Sequence, residues 1–265
     1  MFCVSAHGRA ALYALTSLTL MVCAVSTAAD TAPGNQAASP TVSVLDEGER
    51  TVLKTAADRS FAAYVVGPKD APRGLLVLAP GGDLSEQARD WANHFAALGY
   101  RAIAIDIVGE SAKTPPKARG PVATIDQNDA NAKHRAALEA LNDPGRKLGV
   151  IGWCAGGRQA LEASLAAPDL VSATVLYYAP PFADAKRLAH LKSPVLAVYA
   201  KHDKQAPAEQ IKAFEAAMRQ AGQTLEVRHV GREEPCANPA AISYAKESAQ
   251  PTWEAARDFL NRYLQ

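Results

Sequence analysis

The chain has little of what marks most specialised proteins. Four cysteines in 265 residues are too few for a disulfide-built scaffold. No CxxC or HExxH spacing occurs, so neither a metal nor another cofactor is expected. Beyond the first 29 residues no run approaches the ~20 apolar residues of a bilayer span. Neither charge dominates: 28 Lys and Arg stand against 27 Asp and Glu, a formal net charge of +1, with no long block of one sign. A nucleic-acid or membrane-surface partner is therefore not expected. There is also no internal repeat.

What is present begins with a leader. Residues 1–29 carry Arg9, an apolar run from Ala10 to Val25, and the small residues Ser26, Thr27, Ala28 and Ala29. This is the pattern of a secretory signal peptide, which predicts a periplasmic or secreted protein. Val22 before Cys23 argues against a lipid anchor, which wants a small residue there. Cleavage after Ala29 leaves about 236 residues with 27 basic and 27 acidic side chains, enough for one α/β domain with a full core. Cys3 and Cys23 leave with the leader. Cys154 and Cys236 then remain alone in an oxidising compartment.

Residues 30–40, DTAPGNQAASP, have the composition of a flexible lead-in, and the domain is expected over 41–265. Residues 50–54 and 60–66 predict a starting hairpin. The runs at 74–80, 101–106, 148–153, 173–178, 194–200 and 225–230 are nearly all apolar, as strands of a parallel sheet covered on both faces must be. Helical patterns fill the gaps. Asp83 with Glu86 predicts a capping box for a helix presenting Ala88, Trp91, Ala92, Phe95 and Leu98 on one face. Ile211, Phe214 and Met218 form another stripe, and Trp253, Ala256, Leu260 and Tyr263 a last one. The fold class is α/β, a mostly parallel doubly wound sheet with helices on both faces.

Gly152-Trp153-Cys154-Ala155-Gly156 fits the G-x-nucleophile-x-G elbow, between a predicted strand and a helix predicted over 158–166. Glycines two positions either side would relieve collisions around a strained central residue. The thiol would face the first turn of the helix, whose dipole lowers a cysteine pKa from about 8.5. The Ala155 amide would face a forming oxyanion. Cys154 could equally be half of a disulfide or a small residue in a tight turn.

With GVIGWCAGGR, PVLAVYAKHDKQAP and GLLVLAPGGDLSEQARDWANHFAALGYRAIAID, the sequence resembles the dienelactone hydrolase family of α/β hydrolases over most of residues 41–264. The resemblance implies hydrolysis of an ester or lactone through an acyl-enzyme. It places Cys154 as nucleophile, Asp203 as the acid that orients a histidine, and Gly81 or Gly82 as the second oxyanion donor.

Three positions depart from the family pattern. Where its histidine belongs, the chain reads HVGREEPCANP, putting Glu234 or Pro235 there. A carboxylate near pKa 4.3 facing a thiol near 8.5 is mismatched by about four units, roughly 5.7 kcal/mol uphill for full proton transfer. His229, at the end of the last predicted strand, is the remaining candidate base; His202 adjoins Asp203, and His94, His134 and His190 read as surface or boundary residues. The family's glutamate position is Pro80. No arginine for an anionic substrate follows IAID, although Lys113, Lys117, Arg119 and Arg232 lie in loops. Three readings stay open: a cysteine hydrolase of a small molecule, a non-catalytic binding relative, and a Cys154–Cys236 disulfide that caps the sulfur.

Overall fold

In the computed structural model, which describes residues 48–109, 125–201, 206–230 and 250–265, the apolar runs become one eight-stranded sheet. Its strands are β1 (Glu49–Lys54), β2 (Ser60–Val66), β3 (Arg73–Leu78), β4 (Arg101–Ile105), β5 (Lys147–Trp153), β6 (Val171–Tyr177), β7 (Val195–Ala200) and β8 (Leu225–Val230), in the spatial order β1-β2-β4-β3-β5-β6-β7-β8. The hairpin β1/β2 and the β2/β4 pair are antiparallel; every other neighbouring pair is parallel. Parallel neighbours need long crossovers. These contain helices α1 (Glu86–Ala97), α2 (Gln127–Leu141), α3 (Ala155–Ala166), α4 (Ala185–Leu188) and α5 (Ala208–Gln220), and α6 (Gln250–Tyr263) follows β8.

Strand alternation splits the core in two. Leu75, Val77 and Ile151 pack with Phe95 of α1 and Phe259 and Leu260 of α6 on one face. Leu76, Leu148 and Val150 pack with Leu138 of α2, Leu161 of α3 and Phe214 and Met218 of α5 on the other. Two polar ties reinforce these layers. Ser164 Oγ donates to the Ala160 carbonyl at 3.0 Å, lies 2.7 Å from Thr174 Oγ1, and Thr174 Oγ1 lies 2.9 Å from Ser193 Oγ, all three residues being buried. At the opposite rim from the β5–α3 turn, Arg146 donates to the carbonyls of Lys69, Ala71 and Leu141.

Three expectations need correction. The cap of α1 is Ser85, whose hydroxyl accepts from the Ala88 N–H, because the Asp83 carboxylate folds back over Gly81 instead. Leu98 falls past the helix as its C-cap and is 37% exposed. His134, expected at a boundary, is wholly buried, and neither ring nitrogen has a hydrogen-bond partner among the described residues. The helical period explains this: Ala130, His134, Ala137, Leu138 and Leu141 form one buried stripe on α2.

Burial, with a smaller push from the adjacent Lys133 ammonium, pulls the His134 pKa down to about 3. The imidazole is thus neutral in the folded chain but titrates near 6.5 when unfolded. Its contribution is intact above about pH 6.5 and is lost as pH falls toward 3, approaching about 1.4 kcal/mol per unit. Urea unfolding at pH 7, 5 and 4 should show this acid limb, and His134→Leu should flatten it by that slope.

Candidate active site

Strand β5 ends at Trp153 and α3 starts at Ala155, leaving one residue, Cys154, to turn the chain. It does so at φ 55° and ψ −120°, in the region L side chains rarely occupy. Its N–H donates to the Tyr177 carbonyl at 2.8 Å and its carbonyl accepts from Arg158 N–H at 3.2 Å. The α3 helix therefore begins three residues earlier than the sequence pattern predicts. Glycines make the turn possible: a Cβ at Gly152 would strike the Gly156 carbonyl, one at Gly156 the Leu78 and Ala79 carbonyls, and one at Gly157 would sit 2.8 Å from the Ala179 Cβ. The helix start is thus wedged between the ends of β3 and β6.

The loop after β3 lies alongside. Gly82, at φ 69°, donates its N–H to Ala79 O at 3.1 Å and accepts from Ile107 N at 2.8 Å. That spends the Gly82 amide inside the turn. Among the described residues the exposed Gly81 amide makes no backbone–backbone hydrogen bond of this kind.

Cys154 is disulfide-bonded and 6% exposed. The other three cysteines, Cys3, Cys23 and Cys236, lie outside the described residues, as do Asp203, His202, Glu234 and Pro235. So do Lys113, Lys117, Arg119 and Arg232. His229 is described: it pairs with Tyr199 on the outer strand β8, and its side chain is exposed. Three strand spacings separate β8 from β5, about 14 Å at ~4.8 Å each. His229 therefore sits on a strand three places removed from the one that leads into Cys154. His94 is half-buried on α1, packed 4.4 Å from Trp253, and burial lowers its pKa.

Two features escaped the sequence reading. Trp153, next to Cys154, stacks on Trp91 at 4.4 Å and on Tyr177 at 5.5 Å, while Trp253 lies 6.0 Å from Trp91. Burial holds the Tyr177 phenol well above its usual pKa, so it keeps its proton. On the other face the buried Glu162 carboxylate accepts from Arg158 at 2.9 Å and Arg187 at 2.5 Å. Both guanidinium groups lie over the Phe182 ring, at 4.1 and 4.9 Å, which fastens the segment after β6 to the first turns of α3. The i, i+4 spacing of Arg158 and Glu162 was the available signal. Among the described residues no group of three or more His, Cys, Asp or Glu could hold a metal ion.

A strand-to-helix elbow on a sheet of this strand order defines an α/β hydrolase fold. The dienelactone hydrolase family model matches residues 61–264, and the chain belongs to that family. A protein from Klebsiella pneumoniae described as a dienelactone hydrolase has a similar structure, with a TM-score of 0.69 at 21% identity, covering 82% of this chain and 98% of that one. A dienelactone hydrolase-like promiscuous phosphotriesterase from metagenomic libraries gives 0.66 at 21%, covering 83% and 100%. The dienelactone hydrolase of Anabaena variabilis gives 0.63 at 18%, covering 82% and 100%. No curated protein matches in sequence. Membership of this family supports a hydrolase.

The wedge predicts a graded response. Gly156→Ala should cost about 2 kcal/mol or more, since backbone carbonyls cannot yield as side chains do. Gly145→Ala, with open space around the Cβ and only a strained φ of 81°, should cost about 1 kcal/mol. Urea midpoints of the two variants measure the difference.

Proposed function

We propose that the protein, in its reduced state, hydrolyses a small-molecule ester or lactone with Cys154 as nucleophile. The observation that carries this reading is the turn, in which a non-glycine residue is held at positive φ between a strand and a helix N-terminus. The thiolate adds to the carbonyl carbon, and the oxyanion lies between the Ala155 and Gly81 amides. Collapse expels the alcohol or ring oxygen, which takes a proton, and leaves a thioester. Water then releases the acid and restores the thiol.

The chain is a divergent family member, with Glu234 or Pro235 where the family has histidine. Thiolate formation rests on the N-terminus of α3, with Asp203 retained at the position of the orienting acid. His229 would have to act across about 14 Å from the outer strand. The protein works outside the cytoplasm, periplasmic or secreted, on a small molecule, with no nucleic-acid or membrane partner and no cofactor.

One observation favours a second reading. The disulfide at Cys154 occupies the reactive atom, which suits a non-catalytic protein that keeps the fold for binding.

An activated aryl ester assayed with reduced protein separates the two. Turnover should fall by more than about 100-fold in Cys154→Ala and also fall in Cys154→Ser, whose hydroxyl is far less acidic than a thiol. Absence of Cys154-dependent turnover under reducing conditions would leave the binding reading. Removal of a general base costs about 100-fold or more; His229→Ala should show no such loss in the same assay.

A further inference from the structure

We infer that the buried Lys133 is a positioning residue for the proposed hydrolysis: through Ile107 its ammonium fixes the turn that carries Gly81, and the inference rests on the reading of Gly81 as the second oxyanion donor. The Lys133 side chain, on α2, is 7% exposed, a setting in which an unpaired charge is costly. Two partners meet it there. Asp129, one helical turn back, lies 2.8 Å from Nζ, and Nζ donates to the Ile107 carbonyl at 3.0 Å. A Cβ at Gly109 would lie 3.6 Å from the same nitrogen. The ammonium thus sits against the loop that leaves β4.

That loop is folded on itself, since Asp106 Oδ1 accepts from the N–H groups of Val108 at 3.1 Å and Gly109 at 2.9 Å. Ile107 faces two ways. Its carbonyl takes the ammonium, and its N–H donates to the Gly82 carbonyl at 2.8 Å. The two groups flank one Cα, so a shift of one peptide plane moves the other. The contact with Gly82 is close as well: a Cβ there would come within 2.9 Å of Ile107 Cγ1.

Gly82 in turn closes the four residues Ala79-Pro80-Gly81-Gly82 by donating its N–H to Ala79 O at 3.1 Å. The Ala79 end lies at the elbow, because a Cβ at Gly156 would come 2.4 Å from the Ala79 carbonyl. The Gly82 end is placed by Ile107, and so by Lys133. Gly81 lies between the two held ends. An oxyanion donor serves only if its direction is set before the charge forms, and a charge-assisted hydrogen bond, about twice as strong as a neutral one, suits the anchor of such a loop.

Lys133→Met tests this. The apolar chain keeps much of the volume, and Asp129 keeps a partner, since Arg59 Nη2 lies 2.8 Å from its Oδ1. Hydrogen exchange at the Ile107 and Gly82 amides should quicken about tenfold more than at Val150 and Ile151 of β5, as loss of a hydrogen bond to a charged group implies. With reduced protein and an activated aryl ester, kcat should fall about tenfold, less than the roughly 100-fold cost of deleting an oxyanion donor outright, while KM stays within about twofold. Alkylation of Cys154 by iodoacetamide should keep its rate, because displacement at a saturated carbon forms no oxyanion. Exchange at Ile107 and Gly82 that follows β5, a loss in KM rather than kcat, or an equal loss in alkylation each overturns the inference. Should the variant not fold, nitrogen NMR of the unaltered protein measures the tie: the Lys133 ammonium should exchange its hydrogens slowly, and exchange at the rate of an exposed lysine overturns it. The hydrolase reading fails separately. An unaltered protein that cleaves no ester loses that reading, and the exchange data still decide whether Lys133 holds the turn.

Discussion

The site depends on one backbone constraint, the left-handed conformation of Cys154 between β5 and α3. A turn of one residue cannot be made there unless the helix start lies almost against the strand ends. That closeness is what forbids side chains at 152, 156 and 157. The same closeness makes Cys154 the N-cap residue of α3. Geometry, electrostatics and glycine usage are therefore one fact seen three ways: the wedge that strains Cys154 also provides the positive end of a helix dipole.

Burial then decides which neighbouring groups can take part. Tyr177 keeps its proton because its phenol is enclosed. Burial lowers the pKa of His94, and its ring packs edge-on against Trp91 and Trp253. Glu162 lies one helical turn beyond Arg158, its charge matched by two guanidinium groups, so it contributes position rather than proton transfer. Among the described residues, the structural feature directly beside Cys154 is the N-terminus of α3. This differs in kind from a histidine, since a dipole can stabilise a thiolate but cannot carry a proton to a leaving group.

The strands were legible because a sheet covered on both faces demands nearly unbroken apolar runs, and each such run became a strand within a residue or two. The elbow was legible because its glycines are sterically required. Other features depended on tertiary context. Asp83 and Ser85 are both good caps, and only the fold of the loop over Gly81 selects the serine. His134 looked polar in composition yet sits on the apolar stripe of α2, a position its spacing from Ala130 and Leu138 already encoded. The distance of His229 from the elbow could not be read at all without the strand order, because β5 and β8 are adjacent in neither sequence nor space.

The buried hydroxyls of Ser164, Thr174 and Ser193 carry a last consequence. Each satisfies its neighbour, and together they link α3, β6 and the approach to β7. Exchange of any single one for an apolar residue strands a hydrogen-bonding group in a dry interior, whereas exchange of all three together does not. Any relative or redesign that alters this seam is thus expected to do so as a set, so the three positions behave as one inherited character.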